Sequence, residues 1–582
     1  MRSLFPPFFD TIKHLNILIK IPDYFDPHER RLVFQAMVVG VVVWTVVFVL
    51  KEAVHVAFHQ TIHWVEHAST PWLVFVPLLT GALMMAAIVR YGKSSKVHYR
   101  DKEGNIHELT DVEGDGLERA IALYYASEPS LAQTLQGQAG VDVRWQLPTY
   151  SLTIRKFIAT LITLGSGGSG GLEASVTLIG ESTAAGLLKP RQVVRTAQER
   201  VGLFDRFWHW WRSTDPDDLQ TAQLGGISAA VATLLGTPFA AAFFATEVMY
   251  RRRPIIEKLV YSLIPALIAF FLTRLVTGGH TAMFEAENLL PPPISLEYYS
   301  VVMLVAGLVA LVSIYFSQIR VSFDDYFHHH QPNVWVRHVS GATMTGLIAL
   351  SAAYMTGHGL DLVLGPGEAP INAALHGELT TQVALIALIA KLLATIITIG
   401  SGGSAGLLVP SIFFGTMVAA AIAPMFGYEP YSLIIPAVTA SLVSIVNVPM
   451  AAILFTVEAF GAPYMVPALL TLVVASILAH DNPIYRTQRE EDDSRQIIPG
   501  YSVRRVPIPD SWVGQTIIKL QIRKQYSVNV IGIVEAADDQ DRSTYQANLN
   551  PDLSEPLDEG DILIVLGADE MVETFELFLR RL

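Results

Sequence analysis

The 582-residue chain contains no cysteine, and only 16% of its residues are charged. Without a thiol it can build neither a disulfide framework nor a thiolate metal site. Soluble chains carry about a quarter charged residues, so this deficit, with 51% apolar residues and a mean hydropathy of +0.40, points to lipid as the solvent. Basic patches and nucleic-acid recognition motifs are also missing. The net charge of −13 says little about partners, because much of the acid sits in loops and the tail; it is the missing basic face and motif that leave a nucleic-acid partner unexpected. The first long apolar run lacks a small-residue cleavage site and is too long for a signal segment, so it reads as a retained span.

Long apolar runs are abundant. Leu32 to Leu50, Trp72 to Ile88, Leu259 to Val276, Val301 to Phe316, Val383 to Ile399 and Tyr464 to Leu478 each approach the ~20 residues of a spanning helix. Arg2, Lys13, Lys20, Arg30 and Arg31 precede the first run and put the N-terminus in the cytoplasm by the positive-inside rule. The chain divides into an amphipathic lead (1–30), a membrane domain (31–480), a charged linker (481–500) and a soluble tail (501–582). A polar insertion from Lys93 to about Gln146 interrupts the membrane domain, and the Trp208, Trp210, Trp211 cluster reads as an interfacial anchor.

The most informative pattern is an internal repeat. KFIATLITLGSGGSGGL (156–172) matches KLLATIITIGSGGSAGL (391–407) at 12 of 17 positions with a constant offset of 235. A second pair begins at Thr237 and Val448, where Pro238 and Pro449 each stand nine residues before a glutamate, Glu247 and Glu458. Glycine-interrupted apolar segments at corresponding positions in two halves are the mark of inverted repeats of broken helices. The Gly165 tract also fits a dinucleotide fingerprint, but its flanks are of membrane length rather than a βαβ unit.

Irregular backbone survives at membrane depth only against protein or a watery cavity. Each glycine tract ends one helix and opens another, exposing unpaired N–H groups and the positive end of a helix dipole. Two such starts meeting mid-membrane can bind an anion through partial charges, weakly enough to release it.

At these segments the chain resembles the CLC family of chloride channels and transporters. Gly171-Leu172-Glu173-Ala174-Ser175 resembles the family motif G-(K/R)-E-G-P. Gly406-Leu407-Leu408-Val409-Pro410 resembles G-x-F-x-P, and Asn482-Pro483-Ile484-Tyr485 resembles the end of the last membrane helix. The resemblance is strong over roughly 150–250 and 380–490 and rests elsewhere on hydropathy. It implies an all-α polytopic membrane domain, a homodimer in the bacterial plasma membrane with both termini cytoplasmic, chloride as transported ion, and no cofactor or catalytic residue.

Under the resemblance Glu173 is the gate, and Gly171, Leu172, Ala174, Gly406, Leu407, Leu408 and Tyr485 line the anion route. The repeat sets Glu173 opposite Leu408, so the carboxylate is the chief chemical asymmetry between the halves, and a carboxylate in a membrane asks for a role. The family's first motif, G-S-G-x-P, has no plain match; Ser127 is the substitute that spacing suggests. The acid of the family's cytoplasmic proton route is replaced by Val248, which favours a gated channel over a proton-coupled antiporter.

His55, His59, His63 and His67 recur every fourth residue, beyond the bilayer end of a long first helix; a polar helix end and a pH-sensing face are both compatible with that. His328 to His330 read as part of a polar loop. The tail resembles the C-terminal RCK (TrkA-C-like) domain, with an expected β-α-β-β-α order, and implies either a small regulatory ligand or a dimer clamp. That raises cation transport as a distant rival, although no T-V-G-Y-G-type filter occurs in the chain. A non-transporting scaffold would leave the broken helices and Glu173 without a purpose.

Overall fold

A computed structural model describes residues 27–579 apart from 69, 93–95, 101–105, 111, 127–143, 145–146, 189–206, 208–209, 212–215, 250–253, 279–283, 285–288, 331–332, 480–483, 486, 489–494, 499–500, 536–545, 549–550 and 559–560. The first half of the membrane domain comprises α1 (Pro27–His67), α2 (Phe75–Tyr91), α3 (Gly116–Tyr125), α4 (Tyr150–Gly165), α5 (Glu173–Leu188), α6 (Pro216–Leu235), α7 (Pro238–Glu247) and α8 (Ile256–Thr277). The second half comprises α9 (Leu296–His330), α10 (Val334–Thr356), α11 (Glu368–Leu375), α12 (Thr381–Gly400), α13 (Leu408–Phe426), α14 (Pro430–Ser441), α15 (Pro449–Phe460) and α16 (Met465–Leu478). Among the described residues six helices are long and apolar enough to cross a membrane, and the rest are shorter pieces packed among them.

Local chemistry sets many of the boundaries. Pro238, Pro430 and Pro449 open α7, α14 and α15, where the missing proline N–H costs nothing. Gly278, Gly357 and Gly427 close α8, α10 and α13 in the left-handed region, at φ of 68°, 72° and 71°. As the sequence suggests, α1 continues past Trp64; its 41 residues span about 60 Å.

The halves are related by a two-fold axis, because hydrogen bonds between them occur in reciprocal pairs. Thr160 Oγ1 meets Ser404 Oγ at 3.0 Å, and at the 235-residue offset Ser169 Oγ meets Thr395 Oγ1 at 3.1 Å. The Ser404 N–H donates to Thr163 Oγ1 (3.0 Å) and the Ser169 N–H to Thr398 Oγ1 (3.2 Å). The Glu247 carboxylate, at the end of α7, accepts from the first N–H groups of α15 at Met450 and Ala451 (3.1 and 2.9 Å). Glu458 near the end of α15 does the same for Phe239 and Ala240 of α7 (3.1 and 2.8 Å). End-to-start capping in both directions makes α7 and α15 antiparallel, so the axis lies across the helices. In a membrane that means inverted topology.

Several expectations need correction. The insertion after Lys93 contains a hairpin, β1 (Lys96–Arg100) with β2 (Ile106–Thr110), but also α3, every residue of which is buried in the membrane-domain core. Its polarity misled because Asp115, Glu118 and Arg119 are buried with polar partners, not solvated. His328 to His330 end α9 and are not in a loop. Trp211 is buried, and its Nε1 donates to the last-turn carbonyl of Leu187 at 2.9 Å; Trp210 is exposed, as an anchor would be, and Trp208 lies outside the described residues.

The tail has its own core of Val506, Trp512, Ile522, Val528, Leu563, Val565, Val572 and Phe575. It comprises β3 (Arg495–Ile498), β4 (Tyr501–Pro507), α17 (Ile517–Leu520), α18 (Ile522–Tyr526), β5 (Asn529–Glu535), β6 (Gln546–Asn548), β7 (Ile562–Ala568) and α19 (Asp569–Leu579). The strands form an antiparallel sheet in the order β3-β4-β7-β5-β6, richer than the expected β-α-β-β-α. The 481–500 linker is shorter than expected, because β3 pairs with β4 (Arg495 opposite Val503) and belongs to the sheet.

Candidate functional site

The two glycine tracts meet at the axis. The Gly171 N–H donates to the Gly406 carbonyl at 2.8 Å and the Gly406 N–H to the Gly171 carbonyl at 2.7 Å. Only glycine fits this approach: a Cβ on Gly406 would lie 2.7 Å from that of Ala174, and one on Gly170 2.5 Å from that of Ala405. The bridge sends α5 and α13 away from one point with their N-termini converging. Leu172, Ala174, Leu407 and Leu408 are all buried beside it.

Glu173 is the first residue of α5 and 2% exposed. Its carboxylate faces its own backbone N–H and that of Val409, in the first turn of α13. Oε2 is buried with no hydrogen-bond partner among the described residues. A buried carboxylate with an unpartnered oxygen at two helix starts is costly unless its site suits another anion or the acid can be neutralised. Lys51 of α1 and Glu368, at the start of α11, are the charged groups that act on it electrostatically.

A second carboxylate, missed in the sequence, stands at the start of α3. Asp115 Oδ1 accepts from the Leu117 N–H at 2.8 Å. Oδ2 accepts from the Leu407 N–H at 3.0 Å and from the Tyr485 hydroxyl at 3.4 Å. Tyr485 is fully buried, as a residue of the anion route would be. Gly114-Asp115-Gly116-Leu117 fits the first three positions of G-S-G-x-P with aspartate in place of serine; demanding serine hid the match. Ser127 lies outside the described residues.

Val248 caps α7 at its C-terminus, fully buried, and its carbonyl accepts from Gln488 Nε2 at 3.0 Å. Its side chain has no titratable group. The His55 to His67 side chains line one exposed face of α1, with the His63 and His67 ring centroids 3.9 Å apart. Among the described residues no group of three or more histidine, cysteine or carboxylate side chains could hold a metal.

The site therefore consists of three helix starts, α3, α5 and α13, with a buried tyrosine and two carboxylates that take up the N–H groups an anion would use. The family model described as "Voltage gated chloride channel" matches residues 125–480, and the TrkA-C domain model matches 503–580. The H(+)/Cl(-) exchange transporter ClcA of Salmonella typhi is 24% identical over 487 residues, covering 79% of this chain and 89% of the relative. The voltage-gated ClC-type chloride channel ClcB of Citrobacter koseri is 24% identical over 357 residues, 60% of this chain and 76% of the relative. A solved slow cyanobacterial Cl-/H+ antiporter superposes with a TM-score of 0.60 at 19% identity, over 78% of this chain and 96% of its own. A CLC-type fluoride/proton antiporter superposes with a TM-score of 0.58 at 18% identity, over 79% and 98%.

Proposed function

Because the chain belongs to the voltage-gated chloride channel family, we propose that it is a multi-pass membrane protein that exchanges chloride for protons, with Glu173 as both gate and proton carrier. The observation that carries this reading is the buried Glu173 carboxylate with one oxygen unpartnered at two helix starts. When ionised it fills the anion site. When protonated it loses its hold on the N–H groups and yields them to chloride, so each anion that passes is linked to a proton. The ClcA exchange transporters, which align with most of the chain, support the same reading.

Val248 favours the second reading, a gated chloride channel, since it cannot relay a proton from the cytoplasm. That argument has less force than in the sequence alone, because Asp115 supplies another buried carboxylate on the Tyr485 side of the site. The test is reconstitution in liposomes with an inward chloride gradient. Exchange moves protons uphill in a fixed ratio to chloride; a channel leaves the luminal pH to follow the membrane potential alone.

The protein is proposed to work as a homodimer, with one pore per subunit, in the bacterial plasma membrane with both termini cytoplasmic. The outward apolar side chains of α8 (Val260, Phe271, Leu275) and α16 (Val466, Val473, Ile477) suit lipid or a second copy. The TrkA-C tail would regulate transport or clamp the dimer.

A further inference from the structure

We propose that Asp115 is a second tethered anion: its carboxylate occupies the inner end of the anion route and must take up a proton or swing aside before chloride can bind there. The inference rests on the exchange reading and extends it to Asp115, which stands where the family motif G-S-G-x-P has serine.

The simplest role for Asp115 is to cap α3, and Oδ1 does so through the Leu117 N–H. Two observations go beyond a cap. Oδ2 is held across the molecule, by the Leu407 N–H from the second half and by the Tyr485 hydroxyl from beyond α16, and all three partners are neutral donors. That set of ligands suits an anion and offers nothing to a cation.

The repeat gives the second observation. Lys156 binds the carbonyls of Val112 and Gly114, and its repeat mate Lys391 binds those of Val363 and Gly365. Asp115 therefore corresponds to Pro366, and α11 begins without any side-chain cap. The fold builds this helix start without a capping carboxylate in one half, where Pro366 stands and Glu368 follows inside the helix, and places a capping carboxylate, Asp115, in the other.

The proton step balances simply. A proton from cytoplasmic water adds to Oδ2, the carboxylate becomes a neutral acid with one O–H donor, and the Leu407 N–H is released to chloride. No redox partner is needed. Leu407 and Val409 are two residues apart at the start of α13, so Asp115 and Glu173 draw on neighbouring N–H groups. An anion arriving between them lies next to both acids. The charged and titratable groups that face Asp115 are Tyr485, Glu118 of α3, Lys156 of α4 and Arg320 of α9; Arg320 itself bonds Glu118 at 3.1 Å and the Ile484 carbonyl at 2.6 Å.

The experiment compares the full chain with Asp115→Ser and Asp115→Asn, reading chloride affinity by calorimetry in detergent and proton-to-chloride ratio in liposomes. Both variants should bind chloride at least about ten-fold tighter at neutral pH. The difference from wild type should shrink at acidic pH, and both variants should move fewer protons per chloride. Unchanged affinity in both variants would overturn the tethered anion. Raised affinity with an unchanged proton ratio would overturn its part in proton transfer. Wild type without coupled protons would sink the exchange reading, whereas tighter chloride binding in the variants would still support Asp115 as a competitor. Asp115→Asn keeps the side-chain shape and decides the matter if the serine variant aggregates.

Discussion

Lys156 and Lys391 are repeat mates, both fully buried, and each ties down the loop before a short helix. Lys156 Nζ donates to the Gly114 carbonyl at 2.8 Å and the Val112 carbonyl at 3.4 Å; Lys391 Nζ donates to Gly365 at 2.7 Å and Val363 at 3.0 Å. A buried ammonium is expensive, so its retention in both halves argues that the loops need a strong donor.

Replacing Lys156 with methionine keeps the stem but takes the ammonium donor from the Val112 and Gly114 carbonyls, at about 1–3 kcal/mol each. In Lys391→Met the Val363 and Gly365 carbonyls keep the Ser169 hydroxyl (2.9 Å) and the Gly170 N–H (3.3 Å), so the loss should be smaller. Thermal unfolding in detergent should fall for both variants. Lys156→Met should also disturb chloride binding, because its loop carries Asp115. Equal melting temperatures in variant and wild type would contradict the role.

Glu247 and Glu458 should be equivalent under substitution. Each alanine variant loses two N–H bonds to a carboxylate, and hydrogen bonds to charged groups are worth about 1.5–3 kcal/mol. Urea or heat denaturation should give similar losses for Glu247→Ala and Glu458→Ala. A loss confined to one would mean that the reciprocal caps do unequal work.

Glu173→Gln removes the charge at nearly constant shape. Wild-type chloride flux should rise as pH falls, since protonation empties the anion site; the variant should show higher flux at neutral pH, little pH dependence and no coupled protons. Leu408→Ala, at the repeat-equivalent position, should keep the pH dependence, because leucine binds no proton. Retained pH dependence in Glu173→Gln would move the gate elsewhere, with the His55 to His67 face the next to examine.

Deleting residues 495–582 removes the whole tail sheet, including β3, and leaves the membrane-domain core intact. Chloride transport should survive with altered rate or altered dimer stability, measured by liposome flux and by mass in detergent. A folded but inactive membrane domain would show that the tail is required for conduction.

Much of this architecture was legible in the chain because its signals are local or periodic. Apolar runs of membrane length, paired glycine tracts at an offset of 235 and a proline nine residues before a glutamate in each half all survive as patterns in one dimension. They carried the membrane class, the repeat, the broken helices and Glu173. Only the tertiary structure established that the repeat is inverted, because an axis is defined by which residues exchange hydrogen bonds across it, as Glu247 and Glu458 do. It also moved α3 from a polar insertion into the core: burial of Asp115, Glu118 and Arg119 depends on partners hundreds of residues away, such as Leu407 and Arg320, as well as on nearby backbone. Composition reads those side chains as solvated. Asp115 stayed hidden for the same physical reason, since in the sequence it reads only as a short helix cap, and the fold alone brings Leu407 and Tyr485 to its second oxygen.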